Sequence, residues 1–147
     1  MLRAFGAPDA DTQARTLKQI ALARGLKLLI GQDAALAGRV GADGVHLPER
    51  LAHGAAALKR ARPGWIVTTA AHSLRAARAD ADAVVISAAF PSRSASAGAP
   101  LGPVRLAALV RQAGRPAYAL GGVNNKTARR LLDAGLIGLA AVDAFRT

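Results

Sequence analysis

Two glycines at the end of an apolar run carry the strongest chemical signal in this chain. Tyr118-Ala119-Leu120-Gly121-Gly122-Val123-Asn124 reads as a buried strand that turns on Gly121 and Gly122 into a helix N-terminus. Gly135-Leu136-Ile137-Gly138-Leu139-Ala140-Ala141-Val142 reads as a second strand arriving beside it. Backbone N–H groups at such a turn, together with the positive end of a helix dipole, favour a dianion, and glycine lets the backbone approach it without a Cβ in the way. The chemistry indicated is phosphate binding. A Gly-Gly pair alone also fits a tight turn with no ligand, so the rest of the chain has to decide.

The histidines are the next candidates. His72 precedes Ser73, a helix-capping residue type, and an imidazole titrating near neutrality can take a proton and return it; a histidine beside such a cap can equally just bond backbone. His46 alternates with Val45 and Leu47 in an apolar run, which favours a packed or backbone-bonded ring over a ligand contact, and His53 reads as surface. His72, His46 and Glu49 lack metal-ligand spacing, and the chain has no cysteine, so neither a zinc site nor a thiolate nucleophile is expected.

The elements that must position these groups are short. Helix 1 is capped by Asp9 or Asp11, turns Leu17, Ile20 and Ala21 inward, and ends at Gly25. Strands are expected at Lys27 to Ile30, Gly44 to Leu47, Trp65 to Thr69, Ala83 to Ser87, Ala117 to Leu120 and Gly138 to Val142, with Leu2 to Phe5 as a leading strand. Amphipathic segments lie between them: Asp33 to Val40, His53 to Ala61, Ser73 to Ala77, Gly102 to Gly114, and Asn124 to Leu132. Trp65, at a strand start, should pack at the end of the sheet away from the chemistry. Pro91 to Gly102 is the one long irregular stretch and reads as a lid or flexible loop. Alternating β and α units predict a parallel α/β fold, either an open doubly wound sheet or a (β/α) barrel. In both, ligands sit at the C-terminal ends of the strands.

With 147 residues, 52% of them apolar, one domain spanning 1–147 is expected. No apolar run is long enough to cross a membrane and the N-terminus lacks a signal-peptide core, so no membrane partner and a cytoplasmic location are expected. The net charge of +11 would ordinarily suggest nucleic acid. Here the arginines are scattered one or two per helix, with no basic run and few aromatics, so attraction of small phosphorylated ligands is the preferred reading.

Five landmarks then narrow the field. Gly41-Ala42-Asp43-Gly44-Val45-His46-Leu47, Ala71-His72-Ser73-Leu74-Arg75-Ala76-Ala77, Phe90-Pro91-Ser92 with Pro100-Leu101-Gly102, Ala119-Leu120-Gly121-Gly122-Val123, and Ala134-Gly135 through Val142 follow one another in this order. In order and spacing the chain resembles the thiamine phosphate synthase and TenI-like superfamily. The resemblance implies a TIM-type (β/α) barrel and places Met1 to Phe5 where the family's second strand runs. The domain would then be N-terminally truncated relative to the family, with about seven strands and open edges, for which a homo-oligomer is expected.

The resemblance also distributes roles. It places Gly31-Gln32 where the synthases have an Asn-Asp pair, and Leu51 where they have a second aspartate of a Mg2+ site; Asp33 lies one position late. Arg3 matches an arginine of the pyrophosphate clamp, Phe5 replaces a lysine, Ser92 and Ser94 match two hydroxyl positions, and Ala95 replaces another lysine. Gly121 and Gly122 match the phosphate-binding glycines, and Ala141, Val142 and Asp143 match the backbone turn after the last strand, where a carboxylate is unusual. His72 aligns with the acid/base histidine of the TenI-like thiazole tautomerases. The implied function is binding of a thiazole phosphate with a metal-free proton shift at His72. The alternatives are a Mg2+-dependent synthase joining a thiazole phosphate to a pyrimidine pyrophosphate, and an inactive binder of such ligands.

Overall fold

The structure, a computed structural model, describes residues 1–4, 6–92, 94 and 98–142. Six parallel strands follow one another in sequence order: β1 (Leu29–Gly31), β2 (Gly44–Leu47), β3 (Ile66–Ala71), β4 (Ala83–Ile86), β5 (Ala117–Ala119) and β6 (Gly138–Leu139). The helices between them are α1 (Ala10–Ala23), α2 (Ala34–Arg39), α3 (Ala55–Ala61), α4 (Leu74–Ala77), α5 (Gly102–Ala113) and α6 (Asn125–Ala128), with 3-10 turns at Glu49–Gly54 and Arg129–Leu131. This is the consecutive βα winding of a TIM-type barrel, and the strands form an arc of it. Among the described residues β6 pairs only with β5.

The expected leading strand is much reduced. Leu2 makes a single parallel bridge to Ile30, its N–H donating to Leu29 O at 2.9 Å while Gly31 N–H donates to Leu2 O at 2.8 Å. Phe5 lies outside the described residues. The last strand is also shorter than expected, ending at Leu139, and the helix expected to reach Leu132 is four α-helical residues followed by a 3-10 turn.

Alternation along the strands sorts side chains onto two faces. Val45, Leu47, Val67, Val84, Ile86, Ala117 and Ala119 point outward into two apolar clusters. One is closed by Leu36, Ala37 and Val40 around α2, the other by Leu106, Val110 and Ala113 of α5. Each fully buried aliphatic side chain there, Ile86 or Leu106 for example, contributes about 1.5–3 kcal/mol. Trp65 packs against the first cluster at the N-terminal end of β3, as the sequence indicates, with Arg62 stacked over its ring. One packing expectation fails. Helix α1 buries Ala14 and Ala21, while Leu17 and Ile20 stand 38% and 47% exposed, because only its alanine face lies against the sheet.

Two aspartates just ahead of strands lock neighbouring strand starts. Asp43 accepts Leu28 N–H at 2.9 Å and pairs with Lys18 at 2.8 Å and Lys27 at 3.3 Å; Asp82 accepts Val67 N–H at 2.8 Å and pairs with Lys59 at 2.9 Å. Desolvation pushes the Asp43 carboxyl up, but the bonds from Lys18, Leu28 N–H and Lys27 outweigh it and bring it down to about 2. A depressed carboxylate pKa stabilises above its unfolded value of 3.8, and that contribution is lost as the pH falls through about 2. Asp43→Asn is therefore expected to lower stability by about 1–2 kcal/mol at pH 7 after allowance for solvent screening, and by little near pH 2. Urea unfolding at the two pH values measures the difference.

Candidate functional site

The C-terminal ends of β1 to β4 are linked by a chain of side-chain contacts around the rim. In the loop after β1, Gln32 is held in the left-handed region at φ 48°, with its N–H donating to His46 O at 2.8 Å. Arg50, after β2, donates to the Gln32 carboxamide at 2.5 Å. Its neighbour Glu49 reaches the other way, to the loop after β3, where its Oε2 accepts both the backbone N–H of His72 at 2.8 Å and His72 Nδ1 at 2.7 Å. Glu49 Oε1 accepts the Ser73 hydroxyl at 2.6 Å. The far nitrogen of the ring, Nε2, lies 3.0 Å from Ser87 Oγ at the end of β4.

Strand register explains why these groups meet. Ala71 is paired with Ile86, so the next residues, His72 and Ser87, leave adjacent parallel strands side by side, and Ser87 N–H bonds Ala71 O at 3.1 Å. Ser73 also caps α4, accepting Ala76 N–H at 3.3 Å, which anchors the backbone next to His72. A carboxylate is only an acceptor, so Glu49 fixes the proton of a neutral His72 on Nδ1 and leaves Nε2 free to accept. Burial pushes the Glu49 carboxyl up, and the bonds from Ser73 and His72 more than compensate, so it lies below its ordinary value and stays ionised.

The glycine turn lies beside this cluster. Leu120 N–H bonds Ile86 O, Ala89 N–H bonds Leu120 O, and Phe90 N–H bonds Gly121 O, so the exits of β4 and β5 run together. A Cβ on Gly121 would stand 3.0 Å from that of Ala88, the residue after Ser87. Gly121 and Gly122 have φ of 96° and 61°. Asn124 and Thr127 form a capping box that uses up the first N–H groups of α6, and the Thr127 hydroxyl binds Gly122 O at 2.8 Å. Among the described residues, no acceptor takes the N–H of Gly121, Gly122 or Val123. Successive free amides on a left-handed turn form an anion-binding nest. Continuing the β5–β6 register beyond Ala119 and Leu139 brings Ala141 alongside Gly121, with the exposed Val142 next to it. Asp143 lies outside the described residues, as do Phe5 and Ala95.

The remaining candidates are Ser92, Ser94, Arg3 and His46. Ser92 and Ser94 lie on the loop after β4, where Ser94 N–H bonds Ser92 Oγ at 3.3 Å. Arg3 is exposed beyond the Leu2 bridge, close enough to His46 to disfavour its protonation. His46 faces the inner side of the sheet, bonded through Nδ1 to the Thr68 hydroxyl at 2.9 Å rather than to backbone. Its burial, reinforced by Arg3 and the N-terminal amine, lowers its pKa from 6.5 to about 4. The folded state thus resists a proton that the unfolded chain accepts, and stability is full above pH 6.5 and is lost as the pH falls toward 4. His46→Asn is expected to flatten this acid loss by about 2 kcal/mol, read from unfolding midpoints at pH 7 and pH 4.5.

The residues do not fit a magnesium site. Gln32 offers one amide oxygen, already bonded to Arg50; the Asp33 carboxylate caps α2 by accepting Leu36 N–H at 2.8 Å; and Leu51 packs against the apolar core. Among the described residues no three His, Cys, Asp or Glu side chains gather as a metal-binding group. At these three positions the described side chains supply an amide oxygen and a capping carboxylate in place of the carboxylate set a hard cation takes, and the guanidinium of Arg50 links the two loops.

Sequence reasoning singled out His72, Gly121 and Gly122 but not the contacts of Glu49, Ser87 and Arg50 on the same rim. The signal was the parallel register, which sets Ser87 beside His72 once the two strands are paired.

Comparison with known proteins gives the family. A family model described as thiamine monophosphate synthase matches residues 2–145. The thiamine-phosphate synthase of Azoarcus sp. strain BH72 is 36% identical over 140 residues, covering 90% of this chain and 68% of that protein. That of Thiobacillus denitrificans is 33% identical over 147 residues, covering 92% and 68%. The thiamine phosphate pyrophosphorylase structure from Pyrococcus furiosus superposes with a TM-score of 0.76 at 26% identity, covering 95% of this chain and 69% of that one. With a consecutive parallel βα sheet, a glycine turn at its C-terminal rim and a family match over nearly its whole length, this chain belongs to the thiamine monophosphate synthase family.

Proposed function

We propose that this chain binds a thiazole phosphate through the turn at Gly121 and Gly122 and moves a proton on it with His72. The observation that carries the reading is the run of N–H groups at Gly121, Gly122 and Val123, unaccepted among the described residues, beside an imidazole whose tautomer Glu49 fixes. The amides would hold the phosphate oxygens, Ala141 and Val142 would extend the backbone cradle, and Nε2 would take and return the proton. Such a proton shift needs no metal, in keeping with the side chains at Gln32, Asp33 and Leu51. The second reading, a synthase joining a thiazole phosphate to a pyrimidine pyrophosphate, is favoured by the names of the relatives. It would require Mg2+ ligands that these positions do not supply.

Isothermal titration with thiazole phosphate, with and without Mg2+, tests the proposal. Binding that is the same in both is the expected result; no binding removes the proposal, and Mg2+-dependent formation of the joined product once a pyrimidine pyrophosphate is added would establish the synthase. Unchanged binding without proton exchange would leave a passive receptor. No helix of the described chain is long and apolar enough to cross a membrane, and we place its action on small phosphorylated ligands in the cytoplasm, without nucleic acid. Exposed Ile137, Leu139 and Val142 in and beside β6 favour a homo-oligomer, which light scattering measures directly.

A further inference from the structure

The cluster at the end of β3 and β4 has the arrangement of an activated nucleophile, a use that proton transfer on a thiazole does not require. Three groups stand in series. Glu49 Oε2 binds His72 Nδ1 at 2.7 Å, and His72 Nε2 lies 3.0 Å from Ser87 Oγ. The carboxylate is fixed by two further donors, His72 N–H at 2.8 Å and the Ser73 hydroxyl at 2.6 Å, so it cannot swing away from the ring. With the ring proton on Nδ1, Nε2 is the acceptor and the Ser87 hydroxyl is the donor, the polarity needed for general-base activation of a serine. A hydroxyl within reach of a base that is itself oriented by a third group is the recurring signature of nucleophilic catalysis, recognised by geometry and not by fold. The side chains of Glu49 and His72 are 32% and 42% exposed, so the cluster opens to solvent and to small molecules.

We infer that Ser87, His72 and Glu49 form a Ser-His-Glu centre able to cleave small carboxylic esters. In the first half-reaction Ser87 Oγ attacks the ester carbonyl carbon while His72 Nε2 takes the hydroxyl proton. The bond from that carbon to the alcohol oxygen then breaks, and the leaving oxygen receives the proton from His72. In the second half-reaction water attacks the acyl-serine, giving its proton to Nε2; the bond to Ser87 Oγ breaks and the serine regains its proton. The sum is ester plus water to acid plus alcohol, with Glu49 ionised throughout and holding the imidazolium that forms in each half. The inference does not depend on the identity of the phosphorylated ligand.

The test uses the full chain with two probes, a fluorophosphonate followed by peptide mass spectrometry, and p-nitrophenyl acetate followed by absorbance. A phosphonate adduct on Ser87 is expected, together with ester hydrolysis that falls to the buffer rate in Ser87→Ala and by about tenfold or more in Glu49→Gln. The adduct should also disappear in His72→Asn and persist in Thr16→Ala, a change on the exposed face of α1. Circular dichroism checks that each variant is folded, and a second serine variant that also lacks the hydroxyl, Ser87→Gly, serves if the alanine form is not. No adduct on the folded wild-type chain, an adduct on another residue, or an adduct that survives His72→Asn would overturn the centre.

Discussion

Gly122→Ala is expected to lose both fold stability and phosphate binding. Its φ of 61° is left-handed, and a Cβ there would stand 2.4 Å from Pro91 O and 2.8 Å from the Cβ of Phe90. Neither atom is the free end of a flexible side chain. Phe90 is 5% exposed and belongs to the core cluster under α5, with Arg130 over its ring, so it cannot step aside without disturbing that packing. Left-handed strain of about 1–2 kcal/mol and overpacking of about 1–3 kcal/mol give an expected destabilisation of about 2–5 kcal/mol. Opening the turn also tilts its amides away from a common focus, and losing one good hydrogen bond to a phosphate weakens binding about tenfold. Gly54→Ala is the matched control: its φ is −81° and nothing lies within 4 Å of the added carbon, so a change within about 0.5 kcal/mol is expected. Urea unfolding and titration with thiazole phosphate read the two effects separately. Undiminished affinity in a folded Gly122→Ala protein would mean that the turn is not the phosphate seat.

The elements that sequence reading located well are those whose pattern is local. Gly44 to Leu47 is bounded by a glycine and a proline and carries its alternation on its face, and it emerges as β2 with those limits. Ser73 caps α4 as its residue type suggests, and Asn124 caps α6 with a reciprocal bond from Thr127. What escaped was set by distant partners. Leu17 and Ile20 have helical spacing suited to burial, but which stripe of α1 meets the sheet depends on where β1 and α2 lie, and the small side chains of Ala14 and Ala21 permit the closer approach. Asp33 could be a cap or a ligand until the chain showed its carboxylate committed to Leu36 N–H. Glu49 appeared isolated because its partners are His72 and Ser73, more than twenty residues away and brought near only by the parallel pairing of β2 with β3. The resemblance to the synthases pointed at Gln32 and Leu51 as lost ligands; the Arg50 contact with Gln32 is a property of this chain's own loops.

The largest effect on activity is expected from His72. In the proposed proton shift the imidazole removes a proton from one position of the ligand and returns one to another, and a positioned general acid/base of this kind contributes about 10²- to 10⁴-fold in rate. His72→Asn keeps a hydrogen-bonding side chain of similar reach to Glu49, so the loop between β3 and α4 should hold its conformation while the titrating ring is lost. Proton exchange into the bound thiazole phosphate, followed by NMR in deuterated water, is expected to slow by that factor, with affinity unchanged within about threefold because the phosphate is gripped by backbone and not by the ring. Glu49→Gln separates orientation from chemistry. Its amide can still meet Nδ1 but no longer forces the proton onto that nitrogen, so a fraction of the rings present the wrong tautomer and cannot form a carboxylate-supported imidazolium. Exchange should therefore fall by about 10- to 100-fold while binding again holds, and the 15N shifts of His72 should report the change in tautomer directly. If His72→Asn exchanges at the wild-type rate, the imidazole is only a link between Glu49 and Ser87, and the base for any proton transfer must be sought elsewhere on the rim.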